Sequence, residues 1–179
     1  MRVITGSARG AKLKTLEGLE TRPTSDRVKE AIFNIIQFDV EGRRVLDLFA
    51  GCGQMAIEAL SRGASHAVLV DRNAEAVKVI RENVKKVRFE DRTTILHSDY
   101  LRYLSTCREK FDIIFLDPPY AETFLENALQ KISEIDILSE GGIIVCERSR
   151  EKRIPSRIGD LICSKDYCYG KTAVNLFTR

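Results

Sequence analysis

From Arg44 onward, short near-continuous apolar runs alternate with segments whose apolar residues recur every three or four positions. The runs at 44–49, 66–71, 93–97, 111–117 and 142–147 predict strands, and 54–62, 73–88, a short stretch near 100–106 and 122–134 predict helices. The second helix gathers Val77, Ile80, Val84 and Val87 on one side; the last gathers Phe124, Leu125, Ala128, Leu129 and Ile132. Strands that are apolar throughout are buried on both faces, which calls for a parallel sheet with helices on either side. The end of the chain breaks the alternation. Residues 160–167 and 172–178 read as two strands joined by Cys168-Tyr169-Gly170-Lys171. A parallel return needs a dozen or more residues, so this join must be antiparallel.

The first 40 residues follow another pattern. Arg2-Val3-Ile4-Thr5 and Lys12-Leu13-Lys14-Thr15-Leu16 flank a turn containing Gly6 and Gly10, which predicts a short strand pair. Thr21-Arg22-Pro23-Thr24-Ser25 interrupts it, with Thr24 or Ser25 as a helix cap, and Val28, Ala31, Ile32, Ile35 and Ile36 follow at helical spacing. The expectation is a single α/β domain over 1–179, of which 41–179 is the core and 1–40 a small hairpin-plus-helix extension. A mostly parallel, Rossmann-like sheet ending in an antiparallel hairpin is the plan of the S-adenosylmethionine (SAM)-dependent methyltransferase fold.

Composition narrows the function classes. With 179 residues, 44% hydrophobic and 31% charged, the chain reads as an ordinary soluble protein able to bury a sizeable core. No apolar run approaches the roughly 20 residues of a membrane span, and the N-terminus lacks a signal-like stretch, so a cytoplasmic location is expected. Five scattered cysteines and two histidines form no Cys-x-x-Cys or metal-ligand spacing; buried free thiols and no metal are expected. The net charge of +3 says little, but Arg2, Arg9, Lys12 and Lys14 precede the first acid, Glu17. Such a segment suits a phosphate backbone, and equally a solvated basic edge.

Two strand ends carry the candidate chemistry. Val45-Leu46-Asp47-Leu48-Phe49-Ala50-Gly51-Cys52-Gly53 runs from a strand through a Gly-x-Gly turn into a helix. Glycines there let backbone approach a ligand closely. Dinucleotide sites use Gly-x-Gly-x-x-Gly, and the later position here is Ala56, which disfavours a nicotinamide oxidoreductase. Asp71, followed by Arg72, closes the next strand, where a carboxylate can accept two ribose hydroxyls. Asp99, followed by Tyr100, closes the third, within reach of an adenine amino group. Each acid could instead be a helix cap. Their agreement at successive strand ends points to SAM, held by Asp47, Ala50, Gly51, Cys52, Gly53, Asp71, Arg72, Asp99 and Tyr100. Cys52 reads as a small residue that fits the turn.

The second strand end is Asp117-Pro118-Pro119-Tyr120. Two prolines remove two N–H donors and fix φ, leaving a stiff segment rich in carbonyls. An exocyclic NH2 can donate to the Asp117 carboxylate and to the Pro118 carbonyl, which turns its lone pair toward an incoming methyl, and Tyr120 can stack on the base. The plainer reading is a proline-stopped strand with Tyr120 in the core.

The segments Arg22-Pro23-Thr24-x-Asp26-Arg27-Val28-Lys29-Glu30, Leu46-Asp47-Leu48-Phe49-Ala50-Gly51, Ile57-Glu58-Ala59-Leu60-Ser61-Arg62-Gly63-Ala64, Asp117-Pro118-Pro119-Tyr120 and Tyr169-Gly170-Lys171-Thr172 resemble the RsmD-type family of bacterial small-subunit ribosomal RNA guanine-N2 methyltransferases. The resemblance implies SAM as donor and, as acceptor, a guanine in 16S rRNA presented by the small ribosomal subunit or its assembly intermediate. It also implies an RNA-docking role for the basic extension through Arg2, Arg9, Lys12, Lys14 and Arg22; a monomer acting in the cytoplasm is the expectation. Cys52 departs from the Ser or Thr usual in the family, and Gln54-Met55-Ala56 from its usual Ala-Leu-Gly; these bear on the packing of the first core helix. The Asp-Pro-Pro-Tyr motif alone leaves adenine N6 open as the target, and a non-catalytic RNA-binding assembly factor is the rival from another class.

Overall fold

The computed structural model describes residues 1–16, 26–119 and 123–179. The sheet grows outward from β1 (Arg44–Asp47). On one side β1 pairs in parallel with β2 (His66–Asp71), which pairs with β3 (Thr93–His97). On the other it pairs with β4 (Phe111–Leu116), followed by β5 (Leu138–Ser149), both also parallel. The chain ends in β6 (Arg157–Ile158), β7 (Leu161–Tyr169) and β8 (Thr172–Thr178), giving the order β3-β2-β1-β4-β5-β8-β7-β6. Strand β8 inserts antiparallel between β5 and β7, as the short terminal join requires. Strand order reverses between β1 and β4, and it is outside such a reversal that α/β sheets bind ligands.

Alternation along the strands feeds two cores. Ile113 and Phe115 join the cluster under α1 (Asp26–Ile35), α2 (Gln54–Ser61) and α3 (Ala74–Val87). Ile114 and Leu116 join the cluster under α4 (Tyr100–Thr106) and α5 (Phe124–Ile135). The near-continuous apolar strands thus reflect burial on both faces. No helix among the described residues is long and apolar enough to cross a membrane.

Four elements differ from the sequence expectation. β5 begins at Leu138, because Gly141-Gly142 forms an irregularity inside the strand instead of a turn before it; Gly141 has φ 69° and the β4–β5 register shifts between Phe111 and Ile113. β7 runs on to Tyr169, which leaves only Gly170-Lys171 as the hairpin turn, and β6 is a two-residue strand with no periodic signature. The N-terminal strand pair is reduced to one bridge, Arg2 to Lys12, with Val3 N–H donating to Ala11 O at 3.0 Å and Gly10 N–H to Val3 O at 2.9 Å.

The physical reason for that short ladder lies in α2. The amides of Ile4 and Thr5 donate instead to the Glu58 carboxylate, at 2.7 and 3.0 Å. Ser7 N–H donates to Ser61 O at 2.8 Å, and Ser61 Oγ accepts from Ala8 N–H at 2.9 Å while donating to Thr5 O at 2.6 Å. Gly6 crosses so close that a Cβ there would lie 1.8 Å from Ser61 O, and its φ is 87°. The fully buried Lys29 donates to Arg2 O at 2.6 Å and sits 4.0 Å from Glu58. Every residue of α2 is consequently buried, Gln54, Met55 and Ala56 included. All five cysteines are free; Cys52, Cys107 and Cys146 are buried, but Cys163 is half-buried and Cys168 exposed, the last because it alternates outward along β7.

Candidate active site

The tip of β1 carries Asp47, 2% exposed, whose Oδ2 accepts from Ala56 N–H at 3.4 Å. Burial pushes this carboxyl up to about 7, the negative charge of Asp71 adds to the rise and the Ala56 bond opposes it. The turn that follows is pinned by Ala50 N–H donating to Val70 O at 3.0 Å and Gly53 N–H to Ala50 O at 2.6 Å. Gly53 (φ 79°) starts α2, and a Cβ there would come within 3.1 Å of Leu69. Gly51 differs: with φ 56°, a Cβ on it would meet nothing within 4 Å. The space over Gly51 is open to a ligand while the backbone beneath is fixed, which fits a bound nucleoside at this turn. Cys52 is buried and burial raises its thiol, in keeping with a small residue that fits and not a nucleophile.

Asp71 closes β2 and reaches back to this turn: Oδ2 accepts from Gly51 N–H and Oδ1 from Asn73 N–H, both at 2.8 Å. The cap of α3 is Asn73, through Glu75 N–H at 2.9 Å, so Asp71 is not that cap. Arg72 is exposed and its guanidinium lies 5.7 Å from the Phe124 ring. Asp99 is exposed and caps α4, its Oδ1 accepting from Leu101 N–H at 2.9 Å and Arg102 N–H at 3.3 Å. Tyr100, the first residue of α4, is buried in an aromatic group with Phe49 (5.0 Å between centroids) and Phe124 (5.6 Å, edge-on). That group was not legible as a site feature. Phe49 reads as strand interior and Phe124 as one more inward residue of its helix, and only the fold brings the two together, with Phe124 beside Arg72.

At the neighbouring tip, Asp47 is in register with Phe115, so Asp117 stands two residues further on, just past the end of β4. Asp117 is half-buried, Pro118 buried and Pro119 exposed. A small, open cleft is lined by Pro118, Pro119, Leu125, Glu147, Arg148, Ser149 and Lys152. Tyr120 and Arg22 lie outside the described residues. Among the described residues, no group of three or more His, Cys, Asp or Glu side chains could hold a metal ion.

The basic residues of the N-terminal arm are exposed, but not equally available. Arg2 pairs with Asp26 at 3.6 Å and Lys14 with Glu82, whereas Arg9 and Lys12 show no such pair among the described residues. A link between this arm and the glycine turn escaped the sequence altogether. The fully buried Asn83 of α3 accepts from Lys14 N–H at 2.8 Å and donates to Lys14 O at 3.0 Å and to Cys52 O at 2.9 Å. A polar residue among the inward positions of α3 was its only sequence signal.

Comparison with known proteins agrees with this geometry. The family model described as "Conserved hypothetical protein 95" matches residues 1–178. The chain is 42% identical over 182 residues to YlbH of Bacillus subtilis, which carries the name of an rRNA methyltransferase, covering 100% of this chain and 99% of that one. It is 27% identical over 179 residues to "Ribosomal RNA small subunit methyltransferase D" of Escherichia coli, covering 100% of this chain and 90% of the relative. Among solved structures, the E. coli methyltransferase yhhF superposes with a TM-score of 0.90 at 28% identity, covering 100% and 97%. The fold is shared with an RNA methyltransferase from Salinibacter ruber in complex with S-adenosyl-L-homocysteine, at a TM-score of 0.68 and 17% identity, covering 86% and 91%.

Proposed function

The chain belongs to the conserved hypothetical protein 95 family of RsmD-type methyltransferases, and from that premise we propose that it transfers a methyl group from SAM to the exocyclic N2 of a guanine in small-subunit ribosomal RNA. The observation that carries the reading is the juxtaposition of two strand tips. β1 and β4 are hydrogen-bonded neighbours, one ending in the open Gly51 turn and the other in Asp117-Pro118-Pro119.

Asp47 and Asp71 hold the turn from inside the sheet and from β2, and their charge suits a cationic ligand. The backbone of Gly51, Cys52 and Gly53 offers the close approach; Asp71 would accept from the ribose and Asp99 from the adenine amine, with Ala50, Arg72 and Tyr100 as the surrounding wall. SAM, when bound, supplies an electrophilic methyl on a good leaving group, so the carbon–nitrogen bond forms as the carbon–sulfur bond breaks and S-adenosylhomocysteine leaves. The protein's share is mostly orientation. The Asp117 carboxylate takes one hydrogen of the N2 amine and the Pro118 carbonyl the other, which directs the nitrogen lone pair toward the cofactor turn. The nitrogen becomes acidic as it gains the methyl, and its proton passes to Asp117. Pro119 edges the slot, into which a stacked base must first be turned out, and Tyr120, outside the described residues, is the candidate to stack on that base.

The substrate strand is held from the arm side by Arg2, Arg9, Lys12 and Lys14, with Arg22, outside the described residues, as a further candidate, and the protein acts as a monomer in the cytoplasm on the small subunit or its assembly intermediate. The test is transfer from labelled SAM to undermethylated small subunits, followed by mass analysis of the nucleosides. One N2-methylguanosine per subunit is expected. N6-methyladenosine, or no transfer, would overturn the reading.

A further inference from the structure

We propose that Glu147 is the residue that selects guanine, by accepting the ring N1–H next to the amine held at Asp117. The inference rests on the reading above and supplies what the Asp-Pro-Pro-Tyr motif leaves open, the choice between guanine and adenine. Parallel strands β4 and β5 run in register up to Leu116 opposite Cys146. One step further places Glu147 beside Asp117, on strands about 4.8 Å apart, and on the face shared by Phe115 and Val145. Glu147 is 7% exposed and lines the cleft that Pro118 and Pro119 also line. The next residue, Arg148, also lines the cleft, and its guanidinium is engaged there, Nε donating to Asn175 Oδ1 at 2.6 Å and the group pairing with Asp166 at 3.0 Å. Glu147 thus brings a carboxyl group next to Asp117 in a cleft whose cations are already engaged, Arg148 by Asp166 and Lys152 by Glu126, each at 3.0 Å.

The chemistry of the two bases decides what such an edge admits. With an amine bound between Asp117 and the Pro118 carbonyl, guanine flanks that amine with N1, which carries a hydrogen, on one side and N3, which carries a lone pair, on the other; in the proposed pose the N1 side meets Glu147. In adenine the nitrogen beside the N6 amine is also N1, but it carries a lone pair. A carboxylate at the edge accepts from the first and repels the second, and a desolvated mismatch of that kind is heavily penalised. No other group is needed to turn a general amine clamp into a guanine clamp.

The test compares wild type, Glu147→Gln and Glu147→Ala on small subunits whose methylated guanine is kept or changed to adenine, with nucleoside masses as readout. SAM affinity and melting temperature serve as controls. Wild type should methylate guanine at least 100-fold faster than adenine. Glu147→Gln should slow guanine transfer by roughly 10- to 100-fold and reduce the guanine-to-adenine ratio at least tenfold, because an amide can donate to the adenine nitrogen. A ratio unchanged in a folded, SAM-binding Gln variant would overturn the assignment. Should both variants fail to fold, wild type decides: RNA with 2-aminopurine at the target keeps the amine but lacks the N1 hydrogen and O6, whereas 6-thioguanine keeps the amine and the N1 hydrogen and replaces O6. Loss of at least tenfold with 2-aminopurine but not with 6-thioguanine supports Glu147, and methylation of 2-aminopurine at the guanine rate, or equal loss with both, overturns it. Wild type that produces no N2-methylguanosine sinks the guanine reading itself, a distinct result from guanine transfer that is indifferent to residue 147.

Discussion

Asp47 shows how a single buried carboxyl can link the cofactor turn to pH. Its pKa is raised from the ordinary 3.8 to about 7, so the fold holds this proton more tightly than the unfolded chain does. A raised acid pKa means that stability is lost as pH climbs from the unfolded value to the folded one, and the loss, roughly 4 kcal/mol, is complete above about 7. Asp47→Asn should therefore gain stability relative to wild type at pH 8 and much less at pH 4, as melting temperatures at the two pH values would reveal. A difference independent of pH would remove the assigned titration. A cationic ligand favours the ionised form, so SAM affinity should rise with pH through about 7 in wild type and stay flat in the Asn variant, which titration calorimetry would measure. The candidacy of Asp47, Asp71 and Asp117 was readable because strand ends are readable. The alternation that turns Glu147 toward Asp117 was not, since it depends on which strands become neighbours.

At the scale of elements, the distinctive sequence Glu58-Ala59-Leu60-Ser61-Arg62 is a docking surface for the N-terminal arm. Glu58 satisfies two backbone amides of the arm and pairs with Arg62 at 2.8 Å, and Lys29 neutralises it from α1. Breaking a buried pair costs several kcal/mol because the remaining charge stays buried. Lys29→Met should lower unfolding free energy by about 3 kcal/mol in denaturant titration; a change within 0.5 kcal/mol would make the network incidental. Helix and strand existence followed from periodicity, since burial on two faces or one leaves a direct imprint on the residue pattern. The irregularity at Gly141-Gly142 and the one-bridge hairpin did not, because each is fixed by tertiary partners: the register of β5 on β4, and the Glu58 carboxylate competing for the arm's amides.

For the whole molecule, Asn83 joins the basic arm to the glycine turn through Lys14 and Cys52. If the arm carries RNA phosphates, Arg9→Gln with Lys12→Gln should weaken binding and reduce the slope of log K against log salt by roughly 1.4, since each single-strand phosphate contact contributes about 0.7. An unchanged slope would make the arm a scaffold only. The central claim is that Asp117 orients the acceptor amine toward a methyl donor bound at the neighbouring strand tip. Its most direct measurement is transfer by Asp117→Ala to undermethylated small subunits, read beside SAM affinity. The account predicts transfer reduced at least 1,000-fold, about 4 kcal/mol in the barrier, with SAM binding weakened only moderately. Turnover within a few-fold of wild type would contradict it.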